Sequence, residues 1–114
     1  MRKGDIILVD FGKSQDSFGK KRPAVIFQTD KLNFAVDKGI YDYYLVIPLS
    51  TQKDPITDDF RLKISPRENL ERECYVVCNS ICFLSKKFIG PKIAALSEEE
   101  IGKVHELLKD ALDM

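Results

Sequence analysis

An arginine set directly before a proline, Arg22-Pro23, follows the polar stretch Gly12 to Lys21 and opens the apolar run Ala24-Val25-Ile26. A guanidinium in that place offers a planar fork of donors and stays charged when partly desolvated, which is the chemistry of a phosphate grip. Lys20 and Lys21 beside it make a local basic cluster, and phosphate attraction needs no more than such a patch. Phe18, at the tip of the loop, either offers a face on which an unpaired base can stack, a contact worth about 1 to 3 kcal/mol, or folds back onto the body of the domain. A second group lies further on, where Ser50-Thr51-Gln52 ends the apolar segment Val46-Ile47-Pro48-Leu49 and brings two hydroxyls and an amide to the end of a strand. Lys86 and Lys87 with Lys92 form another basic group whose ordinary role is a solvated face.

Several chemistries are excluded by what is missing. His105 is the only histidine, so one chain cannot supply two histidines as acid and base. No His-Glu-x-x-His, paired-cysteine or Asp-x-Asp arrangement points to a metal, and Asp58-Asp59 reads as solvated carboxylates in a turn. A Gly-x-Ser-x-Gly elbow is absent as well. Cys74, Cys78 and Cys82 would stack on one face of a helix, but the intervening residues are β-branched and aromatic. They read as reduced thiols on one face of a strand, packed as small apolar groups in a reducing compartment.

The elements that must position these groups are mostly strands. Ile6 to Phe11, Ala24 to Gln28 and Tyr43 to Leu49 are apolar runs of strand length, and Phe60 to Ile64 alternates apolar with polar. Cys74 to Phe83 reads as one strand and Ile89 to Ala95 as a short last one, while Ser65-Pro66-Arg67-Glu68 has the signature of a brief helical turn. Ser97 with Glu100 is a capping box, and Ile101, Val104, Leu108, Ala111 and Leu112 fall on one stripe behind it, with His105 at its edge. The pattern predicts a mainly β (α+β) fold, a small barrel or sandwich with a C-terminal helix.

A chain of 114 residues with 44% hydrophobic and 32% charged residues suits one domain, 1–114. Lys+Arg and Asp+Glu both number 18, so any nucleic-acid partner must be held by a local patch. The N-terminus has no apolar h-region and no apolar run approaches the roughly 20 residues needed to cross a bilayer, so the expectation is a cytoplasmic protein without a membrane partner.

The stretches Gly4-Asp5-Ile6-Ile7-Leu8-Val9-Asp10-Phe11, Arg22-Pro23-Ala24-Val25, Val46-Ile47-Pro48-Leu49-Ser50-Thr51-Gln52, Ser80-Ile81 and Lys92-Ile93-Ala94-Ala95-Leu96-Ser97 resemble, in order, those of the MazF/PemK-family toxins. The resemblance implies an SH3-like barrel of the CcdB/PemK type with a C-terminal helix, a homodimer, and a metal-independent and cofactor-free endoribonuclease held in check by a cognate antitoxin. It implies cleavage of single-stranded RNA by attack of the 2′-hydroxyl, leaving a 2′,3′-cyclic phosphate and a 5′-hydroxyl. Arg22 matches the family's catalytic arginine, and Ser50 its catalytic threonine, with Thr51 able to share that role. Asp16, Phe18, Lys20, Lys21 and Gln52 become the RNA-contacting candidates.

The chain also departs from the family. Its loop Gly12 to Lys21 lacks the usual glutamate, leaving Asp16 as the acidic substitute, and Val76-Val77-Cys78-Asn79 replaces an acidic-Gln pair and a basic residue. The general base is unassigned. Two other readings stay open: a non-enzymatic CcdB-like protein that binds DNA gyrase, and a family member that binds RNA without cutting it.

Overall fold

The computed structural model describes residues 1–10 and 21–114. Seven strands and two helices form among them: β1 (Asp5–Asp10), β2 (Lys21–Ile26), α1 (Asp30–Asp37), β3 (Tyr43–Ser50), β4 (Arg61–Ile64), β5 (Cys74–Val77), β6 (Cys82–Ser85), β7 (Ile89–Ala95) and α2 (Glu98–Ala111). All strand pairings are antiparallel. The sheet runs β4-β5-β3-β2-β1-β7, with β6 beside β3. It is a mainly β fold with a C-terminal helix, as expected, but the sheet is not closed: β4 and β7 are its two ends.

Both faces of the sheet are apolar, which explains why its strands read as continuous apolar runs rather than alternating ones. On one face Ile6, Val25, Ile47, Leu49, Ile64, Val76 and Ala94 pack with Val104 of α2. On the other, Ile7, Val9, Ala24, Ile26 and Val46 pack with Val36 of α1. The capping box of α2 forms as the sequence predicts, with Ser97 Oγ accepting from the Glu100 amide at 3.1 Å and Glu100 accepting from the Ser97 amide at 2.8 Å. Ile101, Leu107 and Leu108 complete its packed stripe, whereas Leu112 lies past the helix end and is half exposed. Gly4 is required under this helix. Its φ is +94°, and a Cβ there would come within 2.7 Å of Ile101 Cδ1.

Two local expectations are corrected, and one further element is found. Cys74 to Phe83 is two strands, with an exposed Asn79-Ser80 turn closed by the Ser80 amide on the Val77 carbonyl at 3.0 Å. The turn lets β5 pair with the end of β3 and β6 with its start, and it separates the thiols: Cys74 and Cys78 join the α2-side core, Cys82 the other. All three are free, and burial raises the Cys78 thiol to about 11. Ser65 to Glu68 forms no helical turn. Arg67 and Leu70 exchange backbone hydrogen bonds across a tight turn with Glu68 at φ 45°, while the Arg67 guanidinium binds the Ser65 carbonyl and the Glu100 carboxylate. Helix α1 is the new element; its buried positions are the polar Asn33 and the apolar Val36. Asn33 is buried and exchanges hydrogen bonds with Gln28, whose side chain also accepts from the Leu45 amide.

Candidate functional site

Strand register assembles the site. In the β2–β3 ladder the last pair is Ala24 with Pro48, both on the face that carries Val9 and Val46. Arg22 and Ser50 each lie two residues beyond that pair, so alternation puts both on this face at the same end of the sheet. Arg22 is directly opposite Val9 on β1, and Lys21 is opposite Asp10. Both basic residues are exposed, and the Arg22 side chain forms no hydrogen bond or ion pair with a described residue. No hydrogen bond joins its side chain to Ser50, so a guanidinium and a hydroxyl lie unjoined at the ends of β2 and β3.

The Ser50-Thr51-Gln52 segment is a turn held by its own side chains. Ser50 Oγ accepts from the Gln52 amide at 3.1 Å. A hydroxyl that accepts there keeps its own proton to donate elsewhere, such as to a phosphate oxygen. Thr51 and Gln52 are exposed. The Gln52 carbonyl accepts from Arg61 Nη1 at 2.6 Å, and the other end of the Arg61 fork approaches Asp54 at 4.0 Å. Asp54 is itself fixed by the Ile56 amide at 3.0 Å, which holds its carboxyl below the usual range.

Arg61 holds this turn from outside and is not singled out by the sequence. In sequence it is one cation in an alternating strand, and only the folding of residues 51–60 back onto β4 brings it under the turn. Its side chain is 12% exposed, a strong burial for a charged group, and Nε has no partner among the described residues.

Register therefore places Arg22, Lys21, Ser50, Thr51 and Gln52 at one end of the sheet. Asp16, Phe18 and Lys20 lie outside the described residues. The second basic group does not join them. Lys86 pairs with Asp42, Lys87 lies over the Phe88 ring and Lys92 pairs with Asp5. Lys92 borders a cleft of about 520 Å³ at the far end of β1, where Arg2 and Lys3 face Asp5, Asp30 and Glu98 in a self-neutralising mixture. His105 is also distant. It packs edge-on against Phe27 and lies 2.6 Å from Lys3 Nζ. Among the described residues no group of three or more His, Cys, Asp or Glu could hold a metal ion. Nor is any helix among them long and apolar enough to cross a membrane.

The fold is shared with known proteins. The fold is similar to that of an endoribonuclease from a Mycobacterial species, solved in complex with its cognate antitoxin, at 18% identity and a TM-score of 0.77 over 100% of this chain and 96% of that one. It is similar to the Mycobacterium tuberculosis toxin MazF-mt6, with 16% identity and a TM-score of 0.75 over 96% and 97% of the two chains. A MazE-MazF structure from Deinococcus radiodurans gives 14% identity and a TM-score of 0.74 over 100% and 97%. A search of curated protein sequences finds no match. The family model of PemK-like, MazF-like toxins matches residues 2–112. By a match that spans nearly its whole length, this chain belongs to the PemK-like, MazF-like toxins of type II toxin–antitoxin systems.

Proposed function

We propose that residues 1–114 act as one toxin domain, a cytoplasmic homodimer that cuts single-stranded RNA without a metal or other cofactor and is silenced by a cognate antitoxin. The observation that carries this reading is the exposed Arg22, without a partner among the described residues, at the same end and on the same face of the sheet as Ser50. An arginine kept only for structure would be expected to hold a carboxylate or a carbonyl, as Arg67 and Arg61 do.

In the proposed reaction the RNA 2′-oxygen bonds to the neighbouring phosphorus while the P–O5′ bond breaks. A 2′,3′-cyclic phosphate and a 5′-hydroxyl result; the proton lost from the 2′-oxygen and the one gained by O5′ are exchanged with solvent. Arg22 donates to the phosphate oxygens as their charge grows, a type of contact whose removal typically costs about 10² to 10³ in rate. Ser50 donates its hydroxyl proton to the same phosphate, with Thr51 beside it. Lys21, Gln52 and the loop residues Asp16, Phe18 and Lys20 contact the RNA on either side. The requirement for a 2′-hydroxyl makes RNA the substrate and DNA inert.

Purified protein incubated with a long RNA in excess EDTA, with the new ends mapped, tests this directly. Cuts at a fixed sequence with cyclic ends are expected. Intact RNA from the folded protein would overturn the nuclease reading and favour gyrase binding or RNA binding without cleavage.

A further inference from the structure

We propose that Tyr75 is a nucleobase-stacking residue of this site, with Lys63 beyond it meeting the RNA backbone; the inference rests on the nuclease reading above. Cross-strand register is its basis. Ser50 on β3 is the direct partner of Tyr75 on β5, and Tyr75 is the direct partner of Lys63 on β4. Their chain neighbours Leu49, Val76 and Leu62 point into the α2-side core. Ser50, Tyr75 and Lys63 therefore share the opposite face, the one that carries Arg22. Strands lie about 4.8 Å apart, so Tyr75 is one spacing from the hydroxyl and about two from Arg22. One nucleotide, from its phosphate to its base, spans that distance.

The surroundings of Tyr75 suit a ligand better than a structural role. It belongs to neither core cluster, is half buried, and its hydroxyl makes no hydrogen bond with a described residue. A tyrosine kept for packing usually ties its hydroxyl to a partner. Among the described residues Lys63 pairs only with Glu73, at 3.4 Å and with both side chains more than half exposed, a contact weak enough to exchange for a phosphate. A phosphate grip, a hydroxyl, an aromatic face and a cation thus follow one another across four strands. The row predicts that a base next to the cut lies on the Tyr75 ring.

Wild-type cleavage first defines the cut sequence, and a short RNA of that sequence with one 2′-deoxyribose at the cut then serves as an uncleavable binding probe. Tyr75→Phe is expected to bind this probe like the wild type. Tyr75→Leu, which keeps apolar bulk but not a ring face, is expected to bind at least tenfold more weakly. Replacing the stacked base by an abasic linker should cost the wild type the same and cost Tyr75→Leu little more, because the two changes remove one contact. Lys63→Ala should lower the salt dependence of binding by about one counterion. Tyr75→Leu that folds, binds and cuts as the wild type does would overturn the proposal and leave the nuclease intact. Equal losses at every abasic position would also overturn it, as a structural effect or a protein-binding role for this ring. If the wild type neither binds nor cuts RNA, the site reading itself falls.

Discussion

At the scale of single residues, the account turns on how differently three arginines of this fold are used. Arg67 and Arg61 are drawn to protein oxygens, whereas the Arg22 side chain forms no hydrogen bond or ion pair with a described residue. Arg61→Ala would release the Gln52 carbonyl and leave the Ser50 turn without its outside support. Because the loss concerns positioning, its signature should be a fall in kcat of about tenfold or more with KM little changed, and partial rescue by Arg61→Lys. Steady-state kinetics on a short RNA reads this, and unchanged kcat in a folded Arg61→Ala protein would remove Arg61 from the account. The two hydroxyls should also separate. Ser50 is engaged with the Gln52 amide and shares the sheet face of Arg22, while Thr51 is exposed in the turn. Ser50→Ala should therefore lose far more rate than Thr51→Ala, and the opposite order would transfer the role to Thr51.

At the scale of elements, the fold depends on one cross-link that only the folded chain reveals. Arg67, between β4 and β5, binds Glu100 in the first turn of α2 and the Ala95 carbonyl at the end of β7. It ties the helix to both ends of the open sheet. Each side chain is 19% exposed, so the pair is partly screened, and Arg67→Ala should cost about 2 kcal/mol, seen in chemical denaturation. The pH dependence has a definite sign. The Arg67 hydrogen bond holds the Glu100 carboxyl below its ordinary value of 4.5, so the stabilisation is complete above that value and is lost as the pH falls through the lower folded one. Glu100→Gln should flatten that acid limb. Much of this level was legible in the sequence, because a capping box and continuous apolar strand runs are local signals. Helix α1 was not, since it is short and one of its two buried positions, Asn33, is polar and is satisfied by Gln28 just before the helix, which leaves only a weak apolar stripe. The break between β5 and β6 was hidden because β-branched and aromatic residues lie on both sides of the Asn79-Ser80 turn. Arg22 and Ser50 could be named from motif resemblance, but Arg61 and Tyr75 depend on register, which no local pattern encodes.

At the scale of the whole molecule, the N-terminal residues and the C-terminal helix meet at His105, far from the candidate site. Lys3 Nζ lies 2.6 Å from His105 Nε2 and 4.8 Å from the centre of the Phe27 ring, so an ammonium donates to a neutral imidazole. Burial first, and then the charges of Lys3 and Lys109, lower the His105 pKa from its ordinary 6.5. The folded state thus binds this proton less readily than the unfolded chain. Stability should be fully present above pH 6.5 and decline as the pH falls toward the folded value, before the Glu100 limb begins. A His105→Gln variant should lose that first decline in melting temperature while keeping the second. Activity at neutral pH should be unaffected, because His105 is remote from Arg22. The central claim is that the open end of the sheet is an RNA-cleaving site built on Arg22. Its most direct test compares wild type and Arg22→Ala on a long RNA in excess EDTA, with circular dichroism confirming equal folding. The account predicts fixed-sequence cuts with 2′,3′-cyclic ends for the wild type and a rate at least about 100-fold lower for Arg22→Ala; a folded Arg22→Ala protein that cuts as fast as the wild type would contradict it.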